Sequence, residues 1–367
     1  MRVAFTLEQC WHAVPGGTAV AALELARAID ARENVELAGV AARHRAEPPE
    51  PWRPPIAVAQ LPLPRLALYE AWHRLRRPSV EHATGPVDVI HATGIAMPPA
   101  SRPVVSTVHD LSYLDYPEMF SRQGLRFFRR ALELTLSDAR LVLCSSLATL
   151  ERCREAGFDE ARLRHVPLGV RVEPVIDEHV AAVRTRYGLE RDYVLWTGTV
   201  EPRKNLRGLL RAFAQVEPTV DLALVGPPGW NEDVEAVLDG LPHSVRLRIH
   251  RVGWVSRDDL GALYAGAAVF CFPSLLEGFG FPVVEAMAHG TPVVTSTGTS
   301  TEELVDGGAG LAVDPSDVEA IAQGISSVLS DEARAAGLAE AGRTRAAEYT
   351  WERSATLVER AYAEAAG

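Results

Sequence analysis

The sequence predicts an α/β protein built from two doubly wound domains with parallel sheets, and three observations carry that expectation. Short β-branched runs alternate with glycine-containing turns and amphipathic helical patterns from end to end, the pattern of strands covered by helices on both faces. The alternation restarts after about residue 170. At 367 residues the chain also exceeds what one hydrophobic core usually serves.

In the first series "RVAFTL" leads through "VPGG" into "TAVAALELARAID", "DVIHATG" is followed by "PVVSTVHD", and "ARLVLCSS" by the helical "LATLERCREAG". The Pro-rich "EPPEPWRPP", 47–55, reads as a loop inside this domain. "HVPLGVRVEPVIDEH", 165–179, has two prolines, a glycine and no clear period, so the domain join is expected there, with domains at 1–170 and 171–349. In the second series "YVLWTGT" precedes "NLRGLLRAFAQV", "DLALVG" precedes "DVEAVLDG", and "VRLRIHRVGWV" precedes "RDDLGALYAGA". "AVFCFPS" then precedes "VVEAMAHG", and "PVVTS" precedes "STEELVDG". Asp258 and Asp259 read as capping residues of their helix. The closing "WERSATLVERAYAEAAG" reads as an amphipathic helix.

The formal net charge of −11 argues against a general nucleic-acid binder. Residues 1–170 hold 20 basic and 19 acidic side chains, a balance of +1, while 171–367 hold 17 and 29, a balance of −12. An anionic surface or substrate is met more easily by the first half. Cys10, Cys144, Cys153 and Cys271 form no Cys-x-x-Cys pair, which suits a reducing cytoplasm. The N-terminus turns polar at Glu8, too early for a signal peptide. No apolar run approaches the roughly 20 residues that span a bilayer, so any membrane contact is expected to be peripheral.

Of the 37 basic side chains only Lys204 is a lysine. It lies in "EPRKNL", a turn between the strand "YVLWTGT" and a helix expected to start at Asn205. Arg203 and Lys204 thus stand before a helix N-terminus, where two cations oppose the macrodipole by about 0.3–1 kcal/mol each. A bound phosphate reverses that sign, and the turn lies at the carboxyl end of a strand, where open α/β sheets bind ligands. A solvated basic turn is the plainer alternative. The second informative stretch is "PSLLEGFGFPVVEAMAHG", 273–290. Gly278 and Gly280 suit a tight turn with close backbone approach to a ligand, Pro282 suits a helix start, and Gly290 a helix end. Glu277 is therefore expected in a loop and Glu285 in a helix, both facing one crevice at different subsites. Paired carboxylates also fit a glycoside hydrolase, or a glutamate that favours the positive end of its helix.

"GTVEPRKNL", "VGWVSRDDLGALYAGAAVFCFPSLLEGFGFPVVEAMAHGTPVVTS" and "VDGGAGLAVDP" together resemble the donor-binding half of retaining GT-B glycosyltransferases of glycosyltransferase family 4. "PGGTAV" and "STVHDLSYLDYPEMFS" resemble the acceptor half. The resemblance implies the GT-B architecture, two Rossmann-like domains facing an interdomain cleft, with the C-terminal helix (350–367) returning to the first domain. It implies that Arg203 and Lys204 hold the diphosphate of a nucleotide-sugar, with Gly198 beside it. Glu285 would accept from the ribose, and Glu277 would lie near the transferred sugar. Backbone groups of Gly278, Phe279 and Gly280 would touch sugar hydroxyls or phosphate. His109 would reach the sugar from the first domain, and Gly16 and Gly17 would let a helix N-terminus approach the diphosphate. No metal or other cofactor is implied, and the sequence contains no Asp-x-Asp pair to hold a metal–diphosphate. The motifs are most similar to mannosyltransferase members, which makes GDP-mannose the leading donor and a UDP-sugar the second, with a glycan, lipid-linked or small-molecule acceptor.

Three alternatives stay open at this level. His109 beside Asp110 fits a core histidine paired with a capping aspartate. "SRQGLRFFRRALELTL" spaces Arg122, Arg126 and Arg130 along one helix, with Arg129, Phe127 and Phe128 between them. That pattern fits either a solvated basic face or peripheral contact with anionic lipid at the inner membrane face. The fold also accommodates a sugar-nucleotide epimerase or a non-catalytic nucleotide-sugar binding protein.

Overall fold

β-branched and aromatic runs bounded by turn residues become strands here because both faces of each sheet are covered, so alternation gives way to continuous apolar sequence. The computed structural model describes residues 1–12, 15–229 and 234–367; Val14 of "VPGG" and Asp233 of "DVEAVLDG" lie outside the described residues. The first sheet consists of β1 (Arg2–Thr6), β2 (Glu36–Ala41), β3 (Val58–Gln60), β4 (Val89–Ala92), β5 (Val104–Val108), β6 (Ala139–Cys144) and β7 (Leu163–His165), in spatial order β3-β2-β1-β4-β5-β6-β7. The second consists of β8 (Tyr193–Thr197), β9 (Asp221–Val225), β10 (Ile249–Gly253), β11 (Val269–Phe272), β12 (Val293–Ser296) and β13 (Leu311–Val313), in order β10-β9-β8-β11-β12-β13. Every ladder is parallel. The two sheets have the GT-B architecture of two Rossmann-like α/β domains.

Each strand expected within the described residues forms. The sequence reading passed over β2, β3, β7 and β13. Three of these have only three residues, too short for a period to show. β2, "ELAGVA", carries a glycine where a Cβ would lie 2.7 Å from the carbonyl of Ala57, so close strand approach replaces a β-branched residue there.

The described residues form two compact units, Met1–Gly169 with Thr350–Gly367, and Val170–Tyr349. In the first, Val3, Phe5, Ile90, Val104 and Val142 are fully buried on the sheet. The last helix, Trp351–Ala366, packs on the helix Gly17–Asp30 and against β4, β5 and β6. Its Tyr362 hydroxyl lies 2.6 Å from Nδ1 of the fully buried His91, whose Nε2 lies 2.8 Å from Thr107 Oγ1. In the second unit Leu195, Trp196, Leu222, Phe270, Phe272 and Val293 form the sheet core, against which the helix Leu206–Phe213 buries Leu209, Leu210 and Phe213. Each such side chain contributes about 1.5–3 kcal/mol by leaving water.

In the first sheet the chain reverses its direction of travel between β1 and β4, and in the second between β8 and β11. Both pairs are direct neighbours: Val3 registers with Val89, and Val194 with Val269. Loops leaving the carboxyl ends of such strands diverge and open a crevice for ligands. The helix Arg257–Ala265 corrects one expectation. Ser256 caps it, accepting from the Asp259 amide at 3.2 Å, whereas the Asp259 carboxylate is buried against Arg186 (2.6 Å) and the Tyr187 hydroxyl (2.9 Å). Among the described residues no helix is long and apolar enough to cross a membrane.

Candidate active site

In the second unit the two switch-point strands deliver the residues singled out by the sequence to one place. After β8 the chain passes Gly198 and makes a 3₁₀ turn, Pro202–Lys204, before Asn205 enters the left-handed region (φ 52°) and caps the helix Leu206–Phe213. Asparagine tolerates that backbone better than most residues. Its Oδ1 accepts from the Gly208 amide at 3.2 Å, and its Nδ2 donates to the carbonyls of Pro273 (3.0 Å) and Pro315 (2.7 Å). Pro273 follows β11, and the Leu275 amide donates to the Arg203 carbonyl at 2.8 Å. Two ties therefore hold the turn after β8 against the loop after β11.

Glu277 sits between the two cations. Lys204 Nζ donates to its Oε1 at 2.6 Å, and Arg203 Nη1 lies 3.1 Å from its Oε2. Arg203 also reaches Glu201 at 2.7 Å and the Leu276 carbonyl at 3.2 Å. Lys204 is 7% exposed and Glu277 9%, and the ammonium lies 4.7 Å from the centre of the Phe272 ring. Burial pulls the Glu277 carboxyl upward, but the Lys204 and Arg203 charges outweigh it and hold the group below the usual carboxylate range. Burial likewise draws the Lys204 ammonium below its ordinary value, against the pull of Glu277. A buried ammonium in that condition gains from any further anion brought to it.

The "GFGFP" turn is fixed from behind. Ser300 Oγ contacts the carbonyls of Glu277 (2.9 Å) and Phe279 (3.0 Å), and the Phe279 ring is buried edge-on to Phe281 and Tyr349. Gly280 has φ 108°, and a Cβ there would lie 2.6 Å from Thr301 Cγ2. Gly278 lies in the same turn, and the helix Phe281–Ala288 starts one residue before Pro282. Gly226, after β9, packs its backbone on Gly198: a Cβ at Gly226 would come within 2.0 Å of the Gly198 carbonyl oxygen.

Glu285 stands apart from the ion cluster, one turn into its helix. The Tyr264 hydroxyl donates to its Oε2 at 3.1 Å and lies 3.0 Å from Thr197 Oγ1. Burial pushes the Glu285 carboxyl above its usual range. The side chain borders a cavity of about 420 Å³ lined also by Arg171, Arg257, Tyr264 and His289, large enough for part of a nucleotide. Sequence reasoning missed Tyr264, Thr197 and Ser300, since no spacing rule links them to the glutamates. Glu201, two residues from Arg203, was in plain view.

In the first unit Gly16 caps the helix Gly17–Asp30 without a side chain, and among the described residues a Cβ at Gly16 would meet nothing within 4 Å. His109 follows β5. Its Nε2 donates to the Thr93 carbonyl at 3.1 Å, and its own carbonyl accepts from Ser145 Oγ (3.3 Å) and Thr149 Oγ1 (3.1 Å). Thr93 is fixed in turn by Thr6 Oγ1, which accepts from its amide at 2.9 Å, and by Gln9 Nε2 at 2.8 Å. Burial holds His109 below the ordinary imidazole range, opposed by Thr93 and Asp110. Asp110 accepts from the Ser112 amide (3.0 Å) and hydroxyl (2.6 Å), but Leu111 is the cap residue of the helix Ser112–Asp115, and the hydrogen-bond partner of His109 is Thr93. On the helix Arg122–Asp138 the four arginines are exposed, while Phe127 and Phe128 pack inward, stacked on His73 and Tyr113.

Comparison with known proteins follows this division. Residues 15–174 match the family model described as Glycosyltransferase Family 4, and residues 184–345 the model described as Glycosyl transferases group 1. The chain is 34% identical over 284 residues to the O-antigen chain mannosyltransferase B of Escherichia coli, covering 75% of this chain and 74% of that protein. It is 34% identical over 230 residues to a GDP-mannose-dependent alpha-(1-6)-phosphatidylinositol monomannoside mannosyltransferase of Mycolicibacterium smegmatis, covering 59% of each. The crystal structure of Anabaena HepE in complex with UDP and glucose superposes with a TM-score of 0.76 at 21% identity, covering 99% of this chain and 100% of that one, which is a likeness of fold.

Proposed function

We propose a specific reaction for this chain, which belongs to glycosyltransferase family 4 and is a glycosyltransferase: transfer of mannose from GDP-mannose to a glycan, lipid-linked or small-molecule acceptor, with retention of anomeric configuration and without a metal ion. The observation that carries the reading is the buried Lys204–Glu277–Arg203 cluster at the carboxyl ends of β8 and β11. Two relatives named as mannosyltransferases, one of them GDP-mannose-dependent, favour that donor over a UDP-sugar.

As the glycosidic bond breaks, negative charge accumulates on the departing diphosphate. Cations already fixed at that position stabilise the transition state more than the ground state. Lys204 supplies a point charge that follows a moving oxygen, and Arg203 a planar fork. Glu277, the counter-ion of both, sets their positions and lies beside the sugar. Glu285 accepts from the ribose, its raised basicity making it a strong acceptor. Gly198, Gly278, Phe279 and Gly280 present backbone close to phosphate or sugar. The family resemblance assigns the helix N-terminus at Gly16 and Gly17 to the diphosphate and His109 to the sugar. The acceptor proton passes to the departing phosphate.

The enzyme works in the cytoplasm, and its exposed arginines at 122, 126, 129 and 130 give peripheral, purely electrostatic contact with an anionic inner membrane face, since Phe127 and Phe128 are spent on the core. Flotation with anionic vesicles at low salt tests that contact; no binding removes it. Thermal-shift measurement against GDP-, UDP-, ADP- and TDP-sugars tests the donor. At 100 times its dissociation constant the right donor adds about 2.7 kcal/mol of stability, and a UDP-sugar outperforming GDP-mannose overturns that assignment.

A further inference from the structure

A second set of polar side chains gathers in the first unit, away from His109, at the carboxyl ends of the neighbouring strands β1, β2 and β3. The 3₁₀ turn Glu8–Trp11 follows β1, His44 lies three residues past β2, and Gln60 ends β3. Glu8 is 4% exposed. Its Oε2 accepts from the Ala42 amide at 2.8 Å and from His44 Nε2 at 3.0 Å. A carboxylate only accepts, so Nε2 carries a proton, and in the neutral imidazole Nδ1 then keeps a lone pair. No described residue bonds that Nδ1, on a ring that is only half-buried.

The imidazole is fixed in three further ways. It stacks on the Trp11 indole, with centroids 4.7 Å apart and planes inclined by 10°. Trp11 Nε1 donates to the Ala46 carbonyl at 2.9 Å, and the His44 amide donates to Gln60 Oε1 at 2.9 Å. Arg65, His12, Tyr69 and Cys10 lie near the pair: burial, with Arg65 and His44, holds His12 below the ordinary imidazole range, and burial with the Glu8 charge raises the Tyr69 hydroxyl and the Cys10 thiol. Sequestering a carboxylate from water is costly. Here it sets the tautomer and direction of one outward-facing acceptor, which is the arrangement by which a histidine is prepared for a hydroxyl partner.

We propose that His44, oriented by Glu8 and backed by Trp11, binds a hydroxyl of the acceptor substrate through Nδ1, and that the acceptor presents there a neutral polyhydroxylated ring. This deepens the glycosyltransferase reading and rests on it for the identity of the ligand as acceptor. The position lies at the carboxyl ends of β1, β2 and β3, the edge of a doubly wound sheet on which ligands bind, next to the switch point between β1 and β4. Half-buried rings beside a hydroxyl acceptor fit a pyranose, which offers C–H faces and O–H edges. The Glu8 carboxylate behind the imidazole and the Arg65 guanidinium nearby offset one another, so no excess positive charge is left to select an anionic ring. Glu8 is a positioning residue; His44 is the one that touches substrate.

The test uses the full chain labelled with ¹⁵N-histidine and titrated with methyl α-D-mannopyranoside, a neutral pyranoside, in the presence of GDP. The expected result is an Nε2-protonated His44 whose Nδ1 resonance moves with pyranoside. His44→Asn should remove that signal and weaken pyranoside binding about tenfold, the usual worth of one well-made hydrogen bond. Glu8→Gln keeps an acceptor for the Ala42 amide but should mix the His44 tautomers and weaken pyranoside binding, an effect that loss of stability alone does not produce. GDP should stabilise all three proteins equally. An unmoved Nδ1 resonance, unchanged pyranoside affinity in both variants, or tighter binding of mannose 6-phosphate than of the neutral glycoside overturns the inference. Failure of GDP to stabilise even the wild type sinks the donor reading instead, and the two failures are told apart by that readout.

Discussion

In the second unit the groups fixed at the switch-point strand ends are ions, Lys204, Arg203 and Glu277, all within 3.1 Å of a partner and largely removed from water. In the first unit the corresponding places hold mostly neutral groups, the Thr6 and Thr93 hydroxyls and the Gln9 amide, bonded on to the His109 imidazole after β5, with the buried Glu8 carboxylate beside them. The difference teaches how each side responds to change. An ionic cluster gains most when complete and loses heavily when one member goes, because the survivors stay buried and unpaired. A neutral network loses one hydrogen bond at a time.

The largest break is expected from Lys204→Ala. Transfer from GDP-mannose should fall about 10²–10³-fold, the cost of removing one fixed stabiliser of transition-state charge, with the far-ultraviolet circular dichroism spectrum retained. A variant that turns over like the wild type would show that the ionic side is structural only. Gly226→Ala comes next, since its φ of 138° and the 2.0 Å approach to the Gly198 carbonyl leave no room for a Cβ. A loss of about 2–3 kcal/mol in urea unfolding is expected.

On the neutral side Tyr362→Phe leaves the buried His91 Nδ1 without its partner and should cost about 1–2 kcal/mol, with turnover unchanged. An activity loss there would tie the last helix to catalysis. Acid sensitivity sharpens the contrast further. The Glu277 carboxyl is held below its unfolded value, so its contribution is present above the unfolded pKa and is lost as pH falls through the folded one. Glu277→Gln should therefore flatten the acid limb of a melting-temperature profile below about pH 4.3, whereas Gln9→Ala should leave its slope alone. The smallest effect belongs to Arg126→Glu, an exposed position where stability should stay within about 0.5 kcal/mol.

Legibility in the sequence follows the same contrast. "EPRKNL" and "EGFGFP" announce themselves because turn-forming glycines, prolines and an N-capping asparagine are local chemistry, and the strand runs are long enough to show their type. The resemblance to glycosyltransferase family 4 rests on those same punctuated blocks. What no reading of spacing could supply is which groups meet across the sheet. Lys204 and Glu277 are 73 residues apart, and neither motif alone says that Glu277 is the counter-ion of both cations. Tyr264 with Glu285 and Glu8 with His44 join residues whose neighbourhood exists only once parallel strands are laid side by side. Asp259 misled because a carboxylate near a helix start looks like a cap whether or not an arginine elsewhere claims it.

The last helix carries a consequence for how the protein comes into being. Trp351–Ala366 supplies Tyr362 and Ser354 to the first unit, where Ser354 Oγ donates to the Pro167 carbonyl at 2.6 Å. That unit thus lacks one of its own walls until some 180 intervening residues have been translated. Nascent chains halted on the ribosome before that point should keep the first half open to protease, while the segment between, complete in itself, matures without waiting.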